Sequence, residues 1–132
     1  MTPQCPCACC GYLVFAEPLG SDDICPICFW EDDLVQIAFP DLAGGANKCS
    51  LIEGQRNFAE CGACEKRILP HVQPPGPKDV RDPSWRPLDA DRDLYLHWGR
   101  RDDHDFWQSI KDTRDKCLYY WKPDYSLRSR RR

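Results

Sequence analysis

Cys7-Ala8-Cys9-Cys10 and Cys25-Pro26-Ile27-Cys28 decide how this chain folds. Cys7 with Cys10 and Cys25 with Cys28 form two Cys-x-x-Cys pairs with fourteen residues between them, which is zinc-ribbon spacing. Each pair offers two thiolates to one ion from a tight turn. Gly11 follows Cys10 and can close its turn with positive φ, and Pro26 stiffens the other. Between the pairs, Tyr12-Leu13-Val14-Phe15 is β-prone and Glu17-Pro18-Leu19-Gly20-Ser21-Asp22-Asp23 is turn-rich. The stretch reads as knuckle, strand, turn, knuckle around a Zn²⁺ held by Cys7, Cys10, Cys25 and Cys28.

Disulfide or redox use of the cysteines is the competing reading, since there are ten in 132 residues. Met1-Thr2-Pro3-Gln4 runs into them without an apolar stretch, so a reducing, cytoplasmic compartment is expected. Cys5 and Cys9 interleave with the first pair and read as bystanders, small apolar side chains in a core. Their alternative is to join a second metal site; for Cys49, Cys61, Cys64 and His71 such a site is set against the plainer reading, simple packing of Cys64 on the ribbon and a surface or capping His71.

Size and charge narrow the function. A mean hydropathy of -0.63 implies a modest core, which a structural metal would reinforce. No apolar run is long enough for a membrane span. Residues 1–66 carry ten carboxylates against three cations, a net of -7, whereas the remainder carries +4. Four thiolates around one divalent ion add about two negative charges to the acidic part. Such a surface repels phosphate and makes nucleic acid an unfavoured partner.

The rest of the chain is expected to be α+β, with a small N-terminal zinc-ribbon-like β unit packed against one capped helix. Leu34-Val35-Gln36-Ile37-Ala38-Phe39 reads as a strand stopped by Pro40, and Phe29 and Trp30 as a cover for the metal. Ser50-Leu51-Ile52-Glu53 is a capping box, opening a helix expected to run to about residue 68. Cys61-Gly62-Ala63-Cys64 then falls inside a helix, not at the N-terminus where a redox motif gains reactivity. The expected divisions are a metal-binding domain over 1–72, a proline-rich strap over 73–88, and an aromatic-rich helical extension over 89–132. In that extension, helices are expected at about 90–99 and 103–119. The basic tail Arg128-Ser129-Arg130-Arg131-Arg132 offers salt-sensitive attraction without sequence readout.

The segments Cys7-Ala8-Cys9-Cys10-Gly11-Tyr12, Asp23-Ile24-Cys25-Pro26-Ile27-Cys28-Phe29-Trp30-Glu31-Asp32-Asp33, Gly44-Gly45-Ala46-Asn47-Lys48, Ser50-Leu51, Asn57-Phe58 and Gly62-Ala63-Cys64 together resemble the bacterial cysteine-rich CPCC family over roughly residues 5–75. Ala8 departs from the proline of the name-giving motif. The resemblance implies a zinc-binding bacterial protein of poorly defined activity, a plausible partner of secreted toxins, and supplies no catalytic residue.

The leading expectation is thus a non-enzymatic, zinc-stabilised protein-binding module, in its sharpest form an immunity protein for a cognate toxin. No nucleophile, base and orienter set stands out. Glu31, Asp32 and Asp33, with Trp107 and Trp121, are the candidate partner-binding residues; a solvated turn and core packing are the plainer readings. A nucleic-acid-binding ribbon is the alternative. A thiol or metal-dependent enzyme is the third reading, and it requires a coordination position left open to water.

Overall fold

The computed structural model describes residues 4–100, 102, 107, 108, 110, 111, 120 and 121. The protein is a small α+β fold. Its antiparallel sheet pairs β1 (Cys5–Pro6) with β2 (Leu13–Phe15), Cys5 opposite Phe15 and Pro6 opposite Leu13. Helices α1 (Leu34–Ala38) and α2 (Leu51–Cys61) follow, then 3₁₀ turns at Lys66–His71 and Trp98–Arg100.

Residues 34–38 form a helix, not the strand that their β-branched side chains suggest. The Asp33 carboxylate caps it, accepting from the Val35 and Gln36 backbone N–H groups. The helical turn also delivers Gln36 to the interior, where a strand would not. The Gln36 Nε2 lies 2.9, 3.1 and 3.0 Å from the carbonyls of Leu42, Asn47 and Cys49, and its Oε1 accepts from the Asn47 backbone and side chain. The Asn47 amide pairs in turn with both backbone groups of Glu31. Two buried amides thereby order the glycine-rich loop between α1 and α2 and tie it to the second knuckle.

Helix α2 starts where its capping box places it: Ser50 Oγ accepts from the Glu53 N–H at 3.1 Å and Glu53 Oε1 from the Ser50 N–H at 3.0 Å. It ends at Cys61 rather than near 68. Gly62, with φ +88°, caps it and donates to the Phe58 carbonyl. The chain then folds back along the helix, where the Asn57 side chain binds the Cys64 carbonyl and the Cys64 N–H binds the Cys28 carbonyl at 2.8 Å. Cys61-Gly62-Ala63-Cys64 therefore lies at a helix C-terminus, not inside a helix.

The proline-rich segment runs beside the ribbon. Leu13 N–H donates to the Val80 carbonyl and Asp82 N–H to the Gly11 carbonyl, both at 2.8 Å, with Arg81 bridged to Tyr12. Its return packs on α2, where the Leu88 N–H donates to Gln55 Oε1. The helix expected over 90–99 is not formed. A turn and the short Trp98–Arg100 3₁₀ element stand there, and Asp41 anchors them by accepting from the Trp98 N–H at 2.8 Å and by pairing with His97 at 3.2 Å. Most of the helix expected over 103–119 lies outside the described residues; Trp107, Gln108, Ile110 and Lys111 within it are helical. The basic tail also lies outside them.

Candidate metal centre

The two knuckles are built on one backbone plan. Cys7 N–H donates to the Tyr12 carbonyl and Gly11 N–H returns to the Cys7 carbonyl; Cys25 N–H donates to the Trp30 carbonyl and Phe29 N–H returns to the Cys25 carbonyl. The closing residue has positive φ in both, +83° at Gly11 and +70° at Phe29. At Phe29 that conformation costs about 1–2 kcal/mol relative to a right-handed one, which the knuckle's contacts offset.

The two turns face each other. The sulfurs of Cys7, Cys10, Cys25 and Cys28 all lie within 4.8 Å of one another, and all four residues are fully buried. The contacts across the knuckles, Cys7 to Cys28 and Cys10 to Cys25, are both 3.7 Å. Four sulfurs bound about 2.3 Å from a central ion stand about 3.8 Å apart at the corners of a tetrahedron. The donor set and its spacing thus fit a four-coordinate metal with a closed shell.

Electrostatics point the same way. Burial pushes the Cys7 and Cys28 thiols well above their ordinary value. Cys25 is held low, because its thiolate accepts hydrogen bonds from Cys10, Cys28 and Cys7. A dry box of four sulfurs cannot ionise fully without a cation at its centre, and a divalent ion supplies that charge.

A family model for cysteine-rich CPCC proteins matches residues 5–79, more than half of the chain. The chain belongs to the cysteine-rich CPCC family. No curated protein matches it. In this CPCC protein the matched region stops one residue short of Val80, yet the segment beyond completes the first knuckle. Trp85 Nε1 donates to the Ala8 carbonyl at 3.1 Å and Arg81 Nε to the Cys10 carbonyl at 2.8 Å. The Arg81 guanidinium lies 4.6 Å from the Trp85 ring centroid and 5.1 Å from that of Tyr12. Gln55, buried in α2, also binds the Ala8 carbonyl and reaches the Tyr120 hydroxyl. Sequence spacing carries no trace of these supports, because they join residues 47 to 77 positions apart.

A Cβ on Gly11 would stand 2.5 to 2.8 Å from Trp85 ring carbons. Gly11→Ala is therefore expected to destabilise the metal-loaded protein by about 2–4 kcal/mol, from left-handed backbone strain plus overpacking. In a Trp85→Ala background the same change should cost only the backbone share, about 1–2 kcal/mol. Denaturant midpoints of the four proteins in this cycle measure both.

The other candidate residues divide. Among the described residues, Cys7, Cys10, Cys25 and Cys28 form the one such group of three or more ligands. The second site drawn from Cys49, Cys61, Cys64 and His71 is not assembled: Cys61 Sγ turns to the Ala63 carbonyl and His71 packs on Phe29. Trp30 is fully buried, whereas Phe29 is half-buried. Asp32 and Asp33 do not offer a recognition patch. Asp32 is 1 % exposed and accepts from the Ser21 N–H and hydroxyl, burial pushing its carboxyl up, and Asp33 caps α1 while binding the Ala46 N–H. Glu31 is half-buried beside Asn47. Trp121 is 7 % exposed and packs on Tyr120, so it is not a surface anchor, whereas Trp107 is 69 % exposed. No described helix is long and apolar enough to cross a membrane.

Proposed function

We propose that this CPCC protein is a non-enzymatic module, stabilised by one Zn²⁺, that binds a protein partner and serves as an immunity protein against a cognate toxin. One observation carries the reading: four fully buried sulfurs stand at tetrahedral spacing, which gives the metal a structural rather than a substrate-binding role. Soft thiolates in a tetrahedral array select zinc over the harder cations. Elemental analysis of the purified protein should return one zinc per chain.

The partner-binding part rests on the outer surface. Glu17, Asp22, Asp23, Glu53 and Glu60 are exposed, so carboxylates other than the buried Asp32 carry acidic charge to the solvent. A basic protein suits it, and phosphate does not. Trp107 adds an exposed aromatic anchor. Co-expression with the product of a neighbouring toxin gene tests the proposal. A stoichiometric complex and restored growth are expected; unrelieved toxicity with no complex removes the immunity role.

A further inference from the structure

Arg81 is exposed, yet it is held in place. Its backbone is fixed on either side, because Leu13 N–H donates to the Val80 carbonyl and Asp82 N–H to the Gly11 carbonyl. Its side chain is fixed as well: Nε donates to the Cys10 carbonyl at 2.8 Å, and the guanidinium carbon stands 4.6, 5.1 and 5.9 Å from the ring centroids of Trp85, Tyr12 and Phe58. The two Nη nitrogens have no hydrogen-bond or ion-pair partner among the described residues.

A cleft of about 390 Å³ lies between α2 and the strap, lined by Gln55, Phe58 and Ala59 from the helix and by Arg81, Trp85 and Pro87 from the strap. Arg81 is the one charged residue among these. Gln55 is spent: its amide donates to the Ala8 carbonyl and the Tyr120 hydroxyl, and its Oε1 accepts from the Leu88 N–H. The carboxylate next in sequence, Asp82, is buried and accepts from the Ser84 N–H and hydroxyl. Apolar walls around a single fork of N–H donors suit a flat molecule that ends in one carboxylate, and the volume is in the range of small-ligand sites, about 300–1,000 Å³. An extended acidic segment does not suit it, because the adjoining cleft, which shares Gln55, Ala59 and Pro87, sets Asp89 and Asp91 against Arg56 alone.

We propose that this cleft is a binding site for a small aromatic carboxylate, whose carboxylate pairs with the Arg81 Nη nitrogens and whose ring lies among Phe58, Trp85 and Pro87. A guanidinium fork matches carboxylate and phosphate alike, through two parallel N–H···O bonds. The walls make the difference, since they gain from covering a ring and offer no donors to replace the water that phosphate holds. Ordering costs little. Trp85 is fixed by its Nε1 donation to the Ala8 carbonyl at 3.1 Å, as Arg81 is by Cys10, so their conformational entropy is lost on folding and not on binding. No cysteine lines the cleft, so the ligand would sit outside the metal centre. This inference does not depend on the partner proposed above.

The test titrates naphthoate into the full, zinc-loaded chain and follows the N–H chemical shifts by magnetic resonance. Saturable shifts at the Arg81 Nε–H, the Trp85 indole N–H and the Phe58 and Ala59 amides are expected, half complete at about 1 mM. Naphthalenemethanol, which keeps the ring and has no charge, should bind at least about tenfold more weakly, and inorganic phosphate at the same concentration should move none of these signals. Ala59→Glu places a carboxylate of the chain's own in the cleft, from an exposed position on α2; it should weaken naphthoate at least about tenfold and leave zinc content unchanged. Arg81→Lys, which keeps the charge and loses the fork, should weaken it likewise. Shifts centred on other residues, shifts that rise without saturating, equal binding of the neutral analogue, competition by equimolar phosphate, or full affinity in either variant would overturn the proposal. The unsubstituted chain gives the first readout, so the outcome does not depend on how either variant folds.

Discussion

Replacement of Cys28 by serine is expected to strip the protein of tightly held metal and, with it, of a cooperative unfolding transition. Cys28 is fully buried and its sulfur lies 3.7 Å from that of Cys7 across the two knuckles. Binding of a structural zinc contributes about 10–16 kcal/mol of apparent folding energy at neutral pH, against a net stability of about 5–15 kcal/mol for an ordinary domain. A three-sulfur remnant therefore leaves the folded state without most of its margin. Excess chelator should have the same effect on the unmodified chain, reversed on returning zinc. Cys61→Ser, by contrast, alters a half-buried thiol that binds the Ala63 carbonyl and should leave metal content untouched.

The pH dependence follows from the ligand form. Zinc binds thiolate, so the loaded state holds fewer protons than the unfolded chain, whose thiols titrate at ordinary values. Stability from the metal is present at neutral and alkaline pH and is lost as pH falls and protons displace the ion. Circular dichroism with metal content followed from neutral pH into acid should show both falling together. Metal loss without structural loss would mean that packing alone sustains the fold.

Gln36→Leu is the second large effect expected, at about 3–5 kcal/mol of lost stability. The side chain is fully buried, and its removal orphans the carbonyls of Leu42, Asn47 and Cys49 and both Asn47 donors that point at Oε1. Buried polar groups left without partners cost about 1–3 kcal/mol each, and some find water as the loop relaxes. Leucine nearly matches glutamine in volume, so the change reads hydrogen bonding more than cavity formation. A shift of less than about 1 kcal/mol in denaturant titration would show that the loop between α1 and α2 holds its shape unaided.

Gln36 also shows why part of the fold was hidden. Six residues from Leu34 to Phe39 are too few to separate a period of 2 from one of 3.6, and their side chains favour a strand. The choice was made elsewhere, by the Asp33 cap and by three carbonyls waiting from a loop that comes later in the chain. Asp33 as an N-cap was visible in principle. The acidic run Glu31-Asp32-Asp33 looked like surface because charge in a turn ordinarily is, yet Ser21, Val35 and Ala46 consume two of its carboxylates. Trp121 looked like an anchor for want of any local sign that it would be buried.

What the sequence determined by itself is local. Cys-x-x-Cys spacing dictates turns that aim two sulfurs one way, and Ser50 with Glu53 dictates where α2 begins, since both act over a few covalent bonds. Where α2 would stop was likewise open to local reading, at Gly62. Only the tertiary structure decided which side chains face inward and how Val80 to Leu88 closes over the first knuckle. Those outcomes depend on contacts between residues far apart in the chain, whose free energy no local pattern records.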